Sequence, residues 1–433
     1  MNEVGVGIVG IFFLLLLFSS GIEIAFAMAV IGVLGLICLL PFTAAFNLMA
    51  KDFFDVFSSY NLTVVPLFMF MGQIAFSSGI ANKLYDSTHK FMGHVPGGLA
   101  MATVVGATVF KSICGSMIAT SATFASVAIP EMDRYGYKKE LSTGIVASVG
   151  TLGNLLPPSV ILILLGIMTE QSIGKLFLAG ILPGLILSFL FLVVIFGWCR
   201  INPNIGPRSE KYPWTERGKT LPNIMWPLII FILLVGGLMY GIFTPTEAGG
   251  VGAFAVLALC ILKKDITFSS FVKSVQESLR TSCMVLMLVA SSAILSHFIA
   301  ITDIPQVAAE WVTGLHLHRV VVMCIIILIY LIGGSVIDDL AFLILATPIF
   351  FPIMVKLGYD PIWVVIILAL VMCLDVVLPP LAVTVFVVKQ ITKTPINVIY
   401  RGVYPFLVSM VLCIILLFLF PEIATYLPSV FMK

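Results

Sequence analysis

Residues 150–159 read Gly-Thr-Leu-Gly-Asn-Leu-Leu-Pro-Pro-Ser and lie in the middle of an apolar stretch long enough to cross a membrane. Two consecutive prolines donate no backbone hydrogen bonds and clash with the preceding turn, so a helix must break here. The break frees carbonyl oxygens of residues 150–156 and points the N-terminus of the next half-helix into the protein. Freed carbonyls suit Na⁺, and a half-helix N-terminus suits an anion. The stretch therefore predicts a binding site for both at membrane depth.

The same break recurs in the second half of the chain, where Pro379-Pro380 corresponds to Pro157-Pro158. We call the difference in numbering, 379 minus 157, the repeat offset. Four other pairs of landmarks keep this offset, and one register shared by five features predicts an internal repeat. We place the two halves at 1–205 and 206–433. The other landmarks are Pro130 and Pro352, Gly136 and Gly358, Gly180 and Gly402, and Pro183 and Pro405.

The composition around these breaks predicts a helical membrane protein. Of the 433 residues, 60% are hydrophobic and 10% are charged, and the mean hydropathy is +1.16. Soluble domains average about 25% charged residues. Membrane lipid is therefore the expected surrounding, and its apolar core admits only helices or closed barrels. The apolar runs lack the alternation of barrel strands, and a net charge of +2 without a basic block gives no reason to expect a nucleic-acid partner.

Each half has room for five spans and one re-entrant hairpin, which predicts an all-α polytopic fold. The hairpins are the apolar stretches 99–130 and 320–355, each of which turns at a polar tip; two ordinary spans per stretch are the alternative. The broken helices are 139–170 and 361–393. The remaining spans are expected near 5–18, 22–40, 61–79, 176–198, 222–240, 246–262, 277–300 and 397–420.

An odd number of spans per half means that the second half enters the membrane inverted relative to the first. With this arrangement, and with Lys111 set aside at a hairpin tip, 17 lysines and arginines fall on one side of the membrane and 5 on the other. Basic residues concentrate on the cytoplasmic side. We therefore expect an inner-membrane protein with both termini in the periplasm and the 199–221 loop in the cytoplasm.

Charged residues at membrane depth are costly and tend to be functional. Lys111 lies at the first hairpin tip, and we expect it to hold the anionic group of a substrate; the alternative is that it snorkels to the cytoplasmic surface. Asp338 and Asp339 lie at the second tip. Asp375 is the only side chain in the second break that offers an oxygen. It is predicted to bind Na⁺ or to carry a proton, with a purely structural aspartate as the alternative.

The motifs, in order along the chain, resemble the large membrane subunit of tripartite ATP-independent periplasmic (TRAP) transporters. They include Cys-Gly-Ser-Met-Ile-Ala-Thr at 114–120, Leu-Ala-Gly-Ile-Leu-Pro-Gly at 178–184 and Gly-Ile-Phe-Thr-Pro-Thr-Glu-Ala-Gly at 241–249. The resemblance implies an elevator-type transporter of the ion-transporter superfamily kind, in which both hairpins and both broken helices form the mobile transport domain.

The resemblance also implies what is carried and with which partners. A carboxylate or related organic anion, of the C4-dicarboxylate, sialic acid or sulfonate type, is imported with Na⁺ as the coupling ion and without any other cofactor. The expected partners are a small four-span membrane subunit of the Q type and a periplasmic substrate-binding protein of the P type.

By the same resemblance, the site residues lie at the hairpin tips and the helix breaks. The chain departs from the family pattern at Lys111, where a small residue is usual, and at Asp375 to Leu378, where the family reads Gly-Leu-Leu/Ile-Thr. The sodium ligands are expected at Ser112, Gly115, Ser116, Gly150, Thr151, Gly153 and Pro157 and, in the second half, at Gly333, Gly334, Asp338, Asp375 and Leu378. The substrate contacts are expected at Lys111, Ser116, Thr120, Asn154 and Ser335.

Two other classes of function compete with the tripartite transporter. A stand-alone sodium-anion symporter of similar build would not depend on a binding protein. An intramembrane aspartyl protease needs two carboxylates that share one site, within Tyr-Asp and Gly-x-Gly-Asp contexts that do not surround Asp338 and Asp375. The sequence therefore predicts a transporter and not an enzyme, with the identity of the anion left to the binding partner.

Overall fold

The computed structural model describes residues 3–307, 310, 317–337 and 339–432, and its regular elements are helices. In the first half, short 3₁₀ turns at Tyr60–Thr63 and Gly150–Asn154 come directly before α4 and directly after α8. The helices of this half are α1 (Glu3–Ser19), α2 (Ile24–Leu39), α3 (Phe42–Ser58), α4 (Val64–Ser77), α5 (Ile80–Met92), α6 (Gly98–Lys111), α7 (Met117–Arg134), α8 (Lys139–Val149), α9 (Val160–Met168) and α10 (Ile173–Ile201).

The second half follows with helices at closely matching positions. Those labelled here are α11 (Trp214–Met239), α12 (Pro245–Leu262), α13 (Phe268–Ile301), α14 (Arg319–Val336), α15 (Asp339–Lys356), α16 (Pro361–Asp375), α17 (Val383–Thr392), α18 (Ile396–Leu419) and α19 (Glu422–Phe431). The repeat offset carries α2 onto α12, α7 onto α15 and the first residue of α8 onto the first residue of α16.

Eight helices in the described part of the chain are long and apolar enough to span a membrane: α4 with its 3₁₀ turn, α10 to α15, and α18. The all-helical membrane fold predicted from composition is therefore confirmed. The predicted helix breaks are also present, because the stretch 139–170 divides into α8 and α9, and the stretch 361–393 divides into α16 and α17. Each stretch predicted as a hairpin forms two helices that pack against each other, α6 with α7 and α14 with α15.

The packing between the halves is reciprocal. Helix α2 packs against α13 and α4 packs against α12, and these two contacts exchange under the repeat offset. The same holds for α8 against α18 and α10 against α16. At the crossing of α8 and α18, Gly144 lies directly on the backbone of Gly402. Each half therefore supplies the partner helix for the other, and neither buries its apolar surface alone.

Two amphipathic helices, α3 and α5, lie outside the predicted spans. Helix α3 turns Phe54 and Phe57 outward and is fixed by its buried Asp52, whose carboxylate lies 2.8 Å from Nδ1 of His297 in α13. Helix α5 buries Leu84 and Tyr85 among its apolar side chains. Helices with mixed faces of this kind lie along an interface or on other helices and do not cross lipid, so a search for apolar spans does not find them.

Helix starts follow the local sequence. Thr244 and Glu247 form a complete capping box at α12, with Glu247 Oε2 accepting from the Thr244 amide at 2.8 Å and Thr244 Oγ1 accepting from the Glu247 amide at 3.3 Å. Ser116 and Ser159 cap α7 and α9 by accepting amide hydrogen bonds with their side chains. The helix starts at Ser116 and Ser159 lie at the first hairpin tip and at the first helix break, where the binding site is predicted.

Candidate transport site

The two helix breaks meet in the centre of the protein. The Cys373 thiol at the end of α16 donates to the carbonyl of Thr151 in the first break, at 3.2 Å. These two residues are themselves related by the repeat offset, so equivalent points of the two halves touch. The Thr384 side chain adds a second link, because its hydroxyl donates to the Val376 carbonyl of the second break at 3.2 Å, and its methyl group adjoins Gly150.

The first break is closed by a side chain that replaces a missing amide. In a continuous helix the carbonyl of Asn154 would accept from residue 158, which is a proline and has no N–H. The Ser159 hydroxyl donates to this carbonyl instead, at 2.9 Å, while its oxygen accepts from the Leu162 amide at 3.3 Å. The buried side-chain amide nitrogen of Asn154 has no hydrogen-bond partner among the described residues. The break thus ends in a capped half-helix beside a polar side chain that can bind a ligand.

The first hairpin tip lies directly on this break. A Cβ at Gly115 would lie 2.5 Å from the Pro158 carbonyl oxygen, so only glycine permits the approach. Ser112 donates to the Val109 carbonyl at 2.6 Å, and Thr120 donates to the Ser116 carbonyl at 3.0 Å. These hydroxyls keep acceptor capacity after donating once. The first hairpin tip and the first helix break therefore place backbone and hydroxyl oxygens close together, at the contact between them.

Lys111 is the last residue of α6 and is fully buried. Its ammonium has no hydrogen-bond partner among the described residues. The end of the side chain runs along Gly153, where a Cβ would lie 2.8 Å from Cε and would overlap Nζ. The side chain therefore points at the first break and does not reach an aqueous surface.

The second break has a different composition but a related geometry. Asp375 ends α16, is only 3% exposed, and its carboxylate lies against Gly334 of α14. The Leu378 amide donates to the Leu374 and Asp375 carbonyls, both at 3.1 Å. The Ser335 carbonyl accepts from the Leu381 amide at 3.2 Å, which ties the hairpin to the break. The second site therefore brings its own carboxylate.

Other predicted residues of the second half have structural contacts or are not described. Gly333 adjoins the ring of Phe342, and the Ser335 hydroxyl donates to the Leu331 carbonyl at 2.6 Å. Asp338 lies outside the described residues. A cavity of about 330 Å³ opens beside this break and is lined by Ile337, Asp339, Leu381, Val383, Phe386, Val387 and Gln390.

A larger cavity of about 850 Å³ lies elsewhere, between the start of α4, the end of α9 and the start of α12. Its described lining includes the carboxylates Asp55 and Glu170 and no lysine or arginine. Two carboxylates repel an anion, so this cavity is unfavourable for binding an anionic substrate. The breaks remain the better candidate site.

Comparison with known proteins places the chain in one family. The model of the family described as the tripartite ATP-independent periplasmic transporter, DctM component, matches residues 9–423. A C4-dicarboxylate TRAP transporter large permease protein of Pseudomonas aeruginosa is 32% identical over 403 residues, which cover 92% of this chain and 93% of that protein. The chain belongs to this family.

Other members differ in the substrate that their names give. An isethionate TRAP transporter permease protein of Oleidesulfovibrio alaskensis is 32% identical over 92% of this chain, which covers 62% of that longer protein. A sialic acid TRAP transporter large permease protein of Vibrio cholerae is 27% identical over 96% of this chain and 97% of that protein. The YdaH transporter of Alcanivorax borkumensis matches with a TM-score of 0.62 and 14% identity over 88% of both chains, and shares the fold.

This TRAP large permease is therefore a multi-pass inner-membrane transport protein and not an enzyme. The structure brings the predicted residues into two groups, one around each break. The first group contains Lys111, Ser112, Gly115, Ser116, Thr120, Gly150, Thr151, Gly153, Asn154 and Pro157, and the second contains Gly333, Gly334, Ser335, Asp375 and Leu378.

Reasoning from the sequence missed three residues at these breaks. Ser159 directly follows the proline pair, and a serine before an apolar run is a helix-start signal that could have identified it. Ser121 is fully buried with its hydroxyl against Gly150. Thr384 lacks a polar counterpart in the first half, because the repeat offset pairs it with Leu162, so the repeat gave no signal for it.

Proposed function

We propose that this TRAP permease imports a small organic anion together with Na⁺, by an elevator movement of the hairpins and broken helices against the remaining spans. The observation that carries the proposal is the meeting of two broken helices and two hairpin tips in the protein centre, with the Thr151 carbonyl 3.2 Å from the Cys373 thiol. Interrupted helices in matching halves are the arrangement in which secondary transporters hold substrate and coupling ion.

Sodium as the coupling ion is supported by the chemistry of the two breaks. In each break, proline removes the amide that a continuous helix would supply to the carbonyl four residues earlier, and the second break adds the buried carboxylate of Asp375. Oxygen atoms of this kind are ligands for hard cations. Thr151 and Ser112 add hydroxyl oxygens close to the first break.

The anion class is supported by the names of the relatives. C4-dicarboxylate, isethionate, 2,3-diketo-L-gulonate and sialic acid are the substrates in those names, and all are organic acids. A half-helix N-terminus offers amides to such a group, and α9 begins after Ser159 within the first break. We propose that a carboxylate or sulfonate is bound there, near Ser116, Thr120 and Asn154, with Ser335 facing it from the second hairpin.

The transporter is proposed to work with a small four-span membrane subunit and a periplasmic binding protein. We place both termini in the periplasm, with the first hairpin entering from the cytoplasm and the second from the periplasm, because lysine and arginine are distributed in that way. The binding protein would then deliver its anion on the side from which the second hairpin enters.

Uptake into proteoliposomes tests the proposal. The permease is reconstituted with the small subunit and the binding protein of its source, and uptake of labelled succinate, N-acetylneuraminate and isethionate is measured under an inward Na⁺ gradient. We expect accumulation of one of these anions that needs Na⁺ and the binding protein. Unchanged uptake with K⁺ replacing Na⁺ on both sides refutes sodium coupling. Full uptake without the binding protein identifies a stand-alone symporter instead.

A further inference from the structure

The buried position of Lys111 excludes one of the two roles expected from the sequence. The side chain is fully buried, so its ammonium does not snorkel to the cytoplasmic surface. Its distal half lies on Gly153, where a Cβ would be 3.1 Å from Cδ and 2.8 Å from Cε. The absence of a side chain at Gly153 is what admits the lysine.

The Lys111 ammonium is buried without a hydrogen-bond partner among the described residues. The ionisable groups acting on it among the described residues are the thiols of Cys114 and Cys373, and no described carboxylate pairs with it. Burying an ammonium without compensation is costly. The break holds an acceptor close to the ammonium, because proline at 157 removes the amide that would bond the Gly153 carbonyl in a continuous helix, and a small shift of the side chain would be needed to bond it.

The second half shows a related contact with the charge reversed, displaced by one residue in the hairpin. The repeat offset carries Gly153 onto Asp375 and Lys111 onto Gly333, the neighbour of Gly334. In the first half a charged residue of the hairpin, Lys111, adjoins a glycine of the break. In the second half a charged residue of the break, Asp375, adjoins a glycine of the hairpin. Two equivalent sites therefore carry opposite built-in charges.

We propose that the Lys111 ammonium is a tethered cation that fills the first helix break in place of a coupling Na⁺, and that Na⁺ is bound at the second break beside Asp375. The inference rests on the proposed sodium-coupled transport. One site is then permanently occupied by the protein's own cation, and the other binds Na⁺ from solution. Each anion is carried with fewer sodium ions than two sodium-loaded breaks would require.

Two substitutions distinguish a role of the Lys111 charge from a role of the Lys111 side-chain bulk. Lys111→Ser removes both charge and bulk and opens the break to solvent ions, whereas Lys111→Met removes the charge and keeps the bulk. For Lys111→Ser we expect Na⁺ to enter the first break. The Hill coefficient for Na⁺ should then be higher than in the wild type by about one. At Na⁺ concentrations below saturation, a tenfold rise in Na⁺ should therefore increase uptake by the variant about tenfold more than it increases uptake by the wild type. For Lys111→Met we expect loss of uptake at every Na⁺ concentration.

The reversal potential of transport gives the number of sodium ions per anion and is measured in the same vesicles. Lys111→Ser is expected to carry one more sodium ion per anion than the wild type. The exposed Lys356 supplies the matched control, since Lys356→Ser should leave the stoichiometry unchanged. An unchanged Hill coefficient and stoichiometry in Lys111→Ser overturn the proposal. Weaker anion affinity in both Lys111 variants at unchanged Na⁺ dependence also overturns it and identifies a substrate contact.

Binding of ²²Na⁺ to the purified protein tests the inference without altering Lys111. Asp375→Asn should lose all saturable sodium binding if the first break is already filled, and a remaining saturable site in that variant contradicts the proposal. Failure of the proposed function looks different, because the wild type itself would then show no sodium-dependent uptake. Thermal melting of each variant confirms that it is folded before binding is measured.

Discussion

The crossing of α8 and α18 allows a prediction with a magnitude. A Cβ at Gly144 would lie 2.6 Å from the Cα of Gly402 and would overlap its carbonyl. Carbon atoms prefer about 3.5 Å or more, so Gly144→Ala forces the two helices apart by roughly 1 Å. The Cα and the carbonyl group of Gly402 belong to the backbone, so no side-chain rotation relieves the overlap.

The expected change in stability follows from two opposing effects. Overpacking costs about 1–3 kcal/mol, and a backbone clash belongs at the upper end. Replacing glycine by alanine within a helix gains up to about 1 kcal/mol. Gly144→Ala is therefore expected to destabilise the protein by about 2 kcal/mol. The displaced α8 ends at the first break, so uptake should fall as well.

Matched controls for this measurement are Gly197→Ala in α10 and Gly236→Ala in α11. A Cβ at either position meets nothing within 4 Å, so only the gain in helix propensity remains. Thermal unfolding in detergent should give a melting temperature for Gly144→Ala several degrees below both controls, and vesicle uptake should follow the same order. A melting temperature equal to that of the controls would refute the inferred contact between the two helices.

Three further predictions concern the site and its orientation. Cysteine at position 430, but not at position 210, should react with an impermeant thiol reagent added to intact cells, and the reverse pattern excludes periplasmic termini. Asp375→Asn should remove the sodium dependence of uptake if the carboxylate belongs to the sodium site, whereas loss of pH dependence indicates a proton carrier, and wild-type dependence on both leaves a structural residue. Gly115→Ala places a methyl carbon 2.5 Å from the Pro158 carbonyl oxygen and should abolish uptake while surface expression, measured by blotting, stays normal.

Features set by covalent structure were predictable from the sequence. The two proline pairs broke both helices where expected, because a missing N–H and a fixed ring act locally. The capping box of Thr244 and Glu247 formed for the same reason. Apolar length located the long apolar helices, whereas α3 and α5 were missed because their mixed faces are too polar for a membrane-spanning helix.

Contacts that depend on tertiary packing were beyond the sequence. Lys111 was recognised as unusual, but the direction of its side chain depends on Gly153, which lies in a different element beyond α7 and α8. The approach of Asp375 to Gly334 likewise joins two elements that have no local relation. Thr384 links both breaks although its counterpart in the first half, Leu162, is apolar. The sequence shows which chemical groups are present, but which of them are in contact depends on the tertiary structure.

Comparison of the two halves distinguishes the residues that determine the backbone from the charged residues at the breaks. Prolines and glycines recur at the repeat offset, as Pro157 and Pro379 do, and they fix where helices end and how closely they cross. The charged residues at the two breaks do not recur, since Lys111 corresponds to Gly333 and Asp375 corresponds to Gly153. Two halves with the same backbone can therefore hold different ions. If the first break carries its own ammonium, sodium binding depends on the second break alone, and the coupling of transport to Na⁺ lies in one half of the molecule.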